Sequence, residues 1–356
     1  MMGKESQHES AIMELHRYMQ QVTSENQING AVLVIEAYGQ LLLFEAYGDR
    51  QTMPDSLPMI KDTIFDLASL SKVVAVLPAV LHLAGEGKLK LVQTLSSIFS
   101  LKAGEPLAKV TIVDLLTHQA GLSAQTFLKQ YGRDKEQIIR GICEEPPDYA
   151  CRTQVKYSNR GFVLLGEIIE RVGGTTLDQY VAKNIWHPLG MTDTCYNPSP
   201  VLTSRIAPTE FIPELGACKK GIVHDENAEW LGGVAGHAGV FSTAGDLVKF
   251  CRMILDLGRY EGRQLLPAEL VKESLRNHTQ GLGESRGFGW DTFQVQGQTE
   301  PVFGHLGFTG TSLWISPQKE CFGILLTNRV HPDRESQQIR TIRRNVLQKM
   351  IQAVRC

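Results

Sequence analysis

Ser69-Leu70-Ser71-Lys72 sets a hydroxyl and an amine three residues apart. On a helix, residues i and i+3 share a face, so Lys72 reaches the Ser69 hydroxyl. Burial favours the neutral form of a lysine. A neutral amine then takes the serine proton and makes Ser69 a nucleophile. The N-terminal end of such a helix also supplies a positive dipole where an oxyanion would form. Ser316-Pro317-Gln318-Lys319 has the same spacing. Its proline places it in a turn between strand-like segments, where nothing fixes the lysine. Read alone, Ser69 serves equally well as a helix cap and Lys72 as a surface cation.

Two more clusters point to acyl transfer. Tyr157-Ser158-Asn159 precedes the helical segment GFVLLGEIIE. A phenol there shuttles a proton to a leaving group, and the Asn159 amide has the donors and acceptor to hold both Lys72 and a substrate carbonyl. Gly304-His305-Leu306-Gly307-Phe308-Thr309-Gly310 ends one strand candidate and turns into the next, TSLWIS. Gly307 and its neighbouring glycines let a substrate approach the strand edge. His305 offers a donor or a cation, and the backbone N–H of Phe308, with that of Ser69, forms a candidate oxyanion hole. In isolation these segments are also a capped loop and a tight hairpin.

Other motifs fit less well. Gly283-Glu284-Ser285-Arg286-Gly287 matches G-x-S-x-G, but it lacks the preceding apolar strand and following helix that this elbow needs. His224, Asp225 and His237 do not have a metal-ligand spacing such as HExxH. No metal or organic cofactor is expected. The glycine run 232–239 lacks the GK[ST] ending of a phosphate loop; it reads as a packed loop lining a cleft, with His237 a candidate substrate contact.

The elements that must position these residues follow from periodicity. Residues 11–24 carry Ile12, Leu15, Met19 and Val22 at helical spacing. Ala31–Ala37 and Leu41–Ala46 are strand candidates joined by a turn at Tyr38-Gly39-Gln40. A helix is expected from about Ser69 to Ala84, stopped by Gly85 and Gly87. Helices at 111–117, 161–172 and 176–185, another after Ala244, four short strands from about 288, and a last helix at 335–353 complete the pattern. The simplest assembly is α+β: an antiparallel sheet built from both chain ends (1–68 with 245–356), covered by terminal helices, with residues 69–244 inserted as a mostly helical lobe. A ligand cleft is expected where the insert meets the sheet.

The bulk numbers fit this picture. The chain has 356 residues, enough for one large or two intertwined domains. Its net charge of −2 gives no electrostatic case for nucleic acid. The start of the chain shows no secretory signal, and the apolar stretch Val73–Ala84 is too short to span a bilayer. Stable membrane insertion is therefore not expected. Seven cysteines with no CxxC pair speak against a disulfide framework and for a reducing, cytoplasmic setting, unless an export signal has been removed. Nothing in the sequence bears on oligomeric state.

The order S-x-x-K, Y-x-N, H-x-G at 69, 157 and 305 resembles the class C-like branch of the serine β-lactamases and penicillin-binding proteins, with their peptidase and esterase relatives. The likeness spans about residues 28 to 330 and includes Phe65-Asp66-Leu67-Ala68, TIVDLLTHQAGL (111–122), HPLGMTDT (187–194) and FSTAGDLVKF (241–250). It implies a β-lactamase/transpeptidase-like fold and a serine hydrolase working through an acyl-enzyme. Ser69, Lys72 and Tyr157 would be catalytic; which of Lys72 and Tyr157 is the base stays open. Asn159, His305, Gly307 and Phe308 would hold substrate. His305 stands where a lysine is usual, which weighs against β-lactamase activity because its charge depends on pH. The stretch 221–247 resembles the β-lactamase-like N-acetylmuramyl-L-alanine amidases and certain low-molecular-weight penicillin-binding proteins. That implies a small-molecule or peptidoglycan-fragment substrate. A β-lactamase-fold esterase and a catalytically inactive binding protein are the alternatives.

Overall fold

β1 (Gly30–Ala37) is buried along its whole length. Successive side chains alternate between faces, and both faces are apolar: Ala31, Leu33 and Ile35 point to one core, Val32 and Val34 to another. Tyr38 and Gly39 both have positive φ, so a two-residue turn returns the chain into β2 (Gln40–Gln51). The computed structural model describes residues 2–354, so Cys356 lies outside it; the other six cysteines are free thiols. In the seven-stranded antiparallel sheet the order is Asp291–Phe293, Val302–Leu306, Ser312–Ser316, Cys321–Thr327, β1, β2 and β3 (Leu57–Pro58). The first strands thus join the last four, as expected for the α+β arrangement.

α1 (Met2–Ser24) and the C-terminal helix (Ile339–Ala353) cover one face, where Leu15, Met19 and Val22 join Ile342, Val346 and Met350 in one apolar cluster. The other face packs on the main core, built largely by the middle of the chain. A second, three-stranded sheet pairs β4 (Phe65–Asp66) with Val240–Ser242, and that strand with Cys195–Tyr196. These strands of two or three residues are too short for period-2 patterning to reveal. They bring the segment before Ser69 against the segment after His237.

The helix expected over 69–84 is a composite: a 3-10 turn (Ala68–Leu70), a π segment (Lys72–Val76) and then α2 (Leu77–Gly85). Pro78 has no N–H to give the carbonyl of Val74; the Trp186 indole Nε1 donates to that carbonyl instead, at 3.1 Å. Residues 68–85 form a run with the length and apolarity of a membrane span, longer than the stretch read from sequence; 78% of it is buried inside the fold.

Candidate active site

Ser69 lies in the 3-10 turn, directly after Ala68, whose φ is +47°. A non-glycine residue in this region is held there by its surroundings. Ala68 N–H donates to Asp66 Oδ1 (2.8 Å), Ser71 Oγ donates to Ala68 O (2.7 Å), and Val240 N–H donates to Ser71 Oγ (3.1 Å). Asp66 Oδ2 also accepts from His224 N–H (2.7 Å). Burial raises the Asp66 carboxyl to about 6, against the pull of these two N–H groups.

Ser69 in the 3-10 turn and Lys72 at the start of the π segment stay within one turn of each other, and Lys72 Nζ lies 3.0 Å from Ser69 Oγ. Lys72 is fully buried. Desolvation lowers its ammonium to about 7, opposed by the carboxylates of Asp225 and Asp291. Its second bond goes to the backbone carbonyl of His237 (2.8 Å), and the rings of Tyr157 and Phe162 lie 5.0 and 5.6 Å from Nζ. Tyr157 OH donates to Ser69 Oγ at 2.8 Å. Burial holds the phenol above its ordinary range, so Tyr157 is a neutral O–H. Sequence-distant groups 88 and 165 residues apart thus meet around one hydroxyl.

The remaining expected residues take up different places. Asn159 opens the helix Asn159–Gly173, but the carbonyl of His237, not its amide, holds Lys72; Asn159 Oδ1 is buried with no partner among the described residues. His237 is no surface for substrate: its side chain is fully buried, and Nε2 meets Asp225 Oδ1 at 2.8 Å. Asp225 also caps the short helix Glu226–Trp230 through Asn227 and Ala228 N–H. His224 turns instead to Glu210 (3.1 Å). The three residues weighed as metal ligands are therefore engaged in two separate side-chain pairs.

His305 lies 6.0 Å from the Tyr157 ring, centroid to centroid. Burial, then Lys72 and Arg286, push its imidazole well below the ordinary range, which favours the neutral donor over the cation, the two roles its position left open. His118, whose ring is tilted against that of Tyr157 with centroids 4.7 Å apart, is held neutral in the same way by burial and by Arg286 and Lys72. Gly307 packs tightly against its neighbours. A Cβ there would stand 2.6 Å from Leu67 O and 2.0 Å from Thr311 Oγ1. That closeness lets Thr309 and Thr311 donate to the carbonyls of Asp66 and Leu67 (2.7 and 2.9 Å), locking the turn onto the segment before Ser69. Phe308 is half exposed, with the Arg329 guanidinium 4.5 Å from its ring centroid. Around it Gly307 N–H donates to Thr311 O and Leu70 N–H to Leu67 O, while the N–H groups of Ser69 and Phe308 take no acceptor among the described residues.

Three contributors were not expected beside Ser69: Asp225, Arg286 and Asp291. Arg286 lies 5.8 Å from the Tyr157 ring and pairs with Asp291 and Glu284. Ser285 beside it sits among Leu257, Lys272 and Phe303, lining a separate cavity of about 590 Å³.

The Beta-lactamase family model matches residues 14–348. An N-acetylmuramyl-L-alanine amidase of Bacillus subtilis is 30% identical over 344 residues, covering 85% of this chain and 77% of the relative. A putative D-alanyl-D-alanine carboxypeptidase of Escherichia coli K12 is 31% identical over 339 residues, covering 84% and 78%. Among solved structures, a β-lactamase/D-alanine carboxypeptidase from Pseudomonas syringae superposes with a TM-score of 0.78 at 19% identity, over 97% of this chain and 98% of that one. EstCE1, a hydrolase with promiscuous acyltransferase activity, superposes with a TM-score of 0.76 at 20% identity, over 97% and 99%. The fold is the β-lactamase/transpeptidase-like one, and with a match across almost its whole length the chain belongs to the Beta-lactamase family of hydrolases.

Proposed function

We propose that the protein is a serine hydrolase that forms a covalent acyl-enzyme at Ser69 on an amide or ester of a cell-wall muropeptide. One observation carries this: a buried lysine and a half-buried tyrosine both stand within hydrogen-bond reach of Ser69 Oγ, at 3.0 and 2.8 Å. Near neutral pH a large share of Lys72 is the free amine. Its lone pair takes the Ser69 proton as Oγ attacks the carbonyl, while its N–H stays on His237 O. The N–H groups of Ser69 and Phe308 receive the oxyanion, each donor contributing about 2.7–4 kcal/mol. Tyr157, neutral throughout, relays the proton from Lys72 to the leaving group, and the same path runs in reverse when water releases the acyl chain. Asn159 Oδ1 accepts the substrate amide N–H.

The muropeptide reading rests on the 221–247 stretch and on the similarity to the Bacillus amidase. A neutral His305 supports it against a β-lactam, whose carboxylate would find no fixed cation there. The test is turnover of a MurNAc-peptide, p-nitrophenyl acetate, a penicillin and nitrocefin by wild type beside Ser69→Ala. Ser69-dependent release, fastest with the MurNAc-peptide, is expected. Cleavage of the short ester alone makes the protein an esterase of this fold; no turnover of any substrate leaves a binding protein.

A further inference from the structure

The face of the sheet turned toward the C-terminal helix holds a cavity of about 350 Å³ that the proposed hydrolysis does not use. Leu306, Trp314 and Phe293 on the strands and Leu347 on the helix supply its apolar lining. Arg340, Arg343 and Arg344, one helical turn of the same helix, line it as well. None of the three guanidinium groups has a carboxylate within salt-bridge distance among the described residues. Three like charges on adjacent turn positions repel one another unless an anion joins them. Trp314 is 1% exposed, and its Nε1–H has no acceptor among the described residues. A buried donor without a partner is uncommon. The cavity volume is near the lower end for small-molecule sites, roughly 300–1,000 Å³.

We infer that this cavity binds a small amphipathic carboxylate, a single medium-length acyl chain on the apolar lining with its carboxylate among Arg340, Arg343 and Arg344. Arg343 is unsuitable for a test, because it donates to Gly307 O (2.6 Å), Thr311 O (2.8 Å) and Ser312 Oγ (2.7 Å) and so holds the turn that carries Phe308. Arg340 and Arg344 are exposed and free of that duty.

The experiment is calorimetric titration of the full chain with decanoate, decanol and phosphatidylglycerol vesicles. Wild type is compared with the double variant Arg340→Glu/Arg344→Glu and with Gln294→Trp, which fills the cavity from an exposed position. Saturable binding of one decanoate is expected, with decanol weaker by about tenfold or more, since a charge-assisted contact is lost. Both variants lose decanoate binding by a similar factor while keeping wild-type turnover of p-nitrophenyl acetate. If that ester is not a substrate, an unchanged near-UV spectrum is the check on folding. Equal binding of decanol, unchanged binding in both variants, or binding to vesicles without binding to free decanoate would overturn the inference.

Discussion

Replacing Lys72 by methionine should abolish turnover and yet stabilise the protein at acid pH. Burial brings the ammonium from 10.5 to about 7. A difference of about 3.5 units at about 1.4 kcal/mol each is roughly 5 kcal/mol against the charged, folded lysine. The folded pKa is the lower one. Between about pH 7 and 10.5 the unfolded chain therefore holds a proton that the folded chain has released, and stability rises with pH across that window. Below about pH 7 the full penalty applies. Methionine removes it but leaves the buried His237 carbonyl without its donor, a loss of about 1–3 kcal/mol. The net gain is about 2–4 kcal/mol at pH 6, shrinking and then reversing as pH approaches 10.5. Denaturant midpoints of wild type and Lys72→Met at pH 6 and 10, with m-values to show that the compactness of the unfolded state is unchanged, read this directly. A variant destabilised equally at both pH values would refute a desolvated lysine next to Ser69.

The other expectations concern the groups around that pair. The acid limb of wild-type kcat/KM should fall near pH 7, where Lys72 gains its proton; Asp225→Asn, which removes a carboxylate that favours charged Lys72, should move that limb to lower pH. Gly307→Ala should cost about 1–3 kcal/mol in a denaturant titration and slow turnover, because its Cβ must displace Leu67 or Thr311 next to the Ser69 turn. Ser285→Ala should leave progress curves on the best substrate unchanged, since its G-x-S-x-G match lies in a separate cavity.

Much of this arrangement was legible in the sequence because its determinants are local. The β1–β2 hairpin follows from apolar runs flanking Tyr38-Gly39, and Ser69 with Lys72 from an i, i+3 spacing that survives the change from a regular α-helix to a 3-10 turn followed by a π segment. The roles of Asp225 and His237 were not legible. Their spacing invited a metal or a substrate contact, whereas the structure engages His237 through its backbone carbonyl, to which side-chain identity is no guide. The neutral state of His305 is likewise a property of burial and of Lys72 and Arg286, both distant in sequence. The π segment at Lys72–Val76 follows from Pro78 only once Trp186 is seen to take the freed carbonyl, 112 residues away. Strands of two or three residues, such as Phe65–Asp66 and Val240–Ser242, hold the Ser69 turn in place without any periodic signal.

The most direct test of the central claim is intact-mass spectrometry after reaction with a serine-reactive fluorophosphonate, followed by peptide mapping, for wild type, Ser69→Ala and Lys72→Met. A single adduct on Ser69 in wild type, none in Ser69→Ala and strongly slowed labelling in Lys72→Met is the predicted result. Labelling at another serine with Ser69 untouched, or equal labelling rates with and without Lys72, would contradict it.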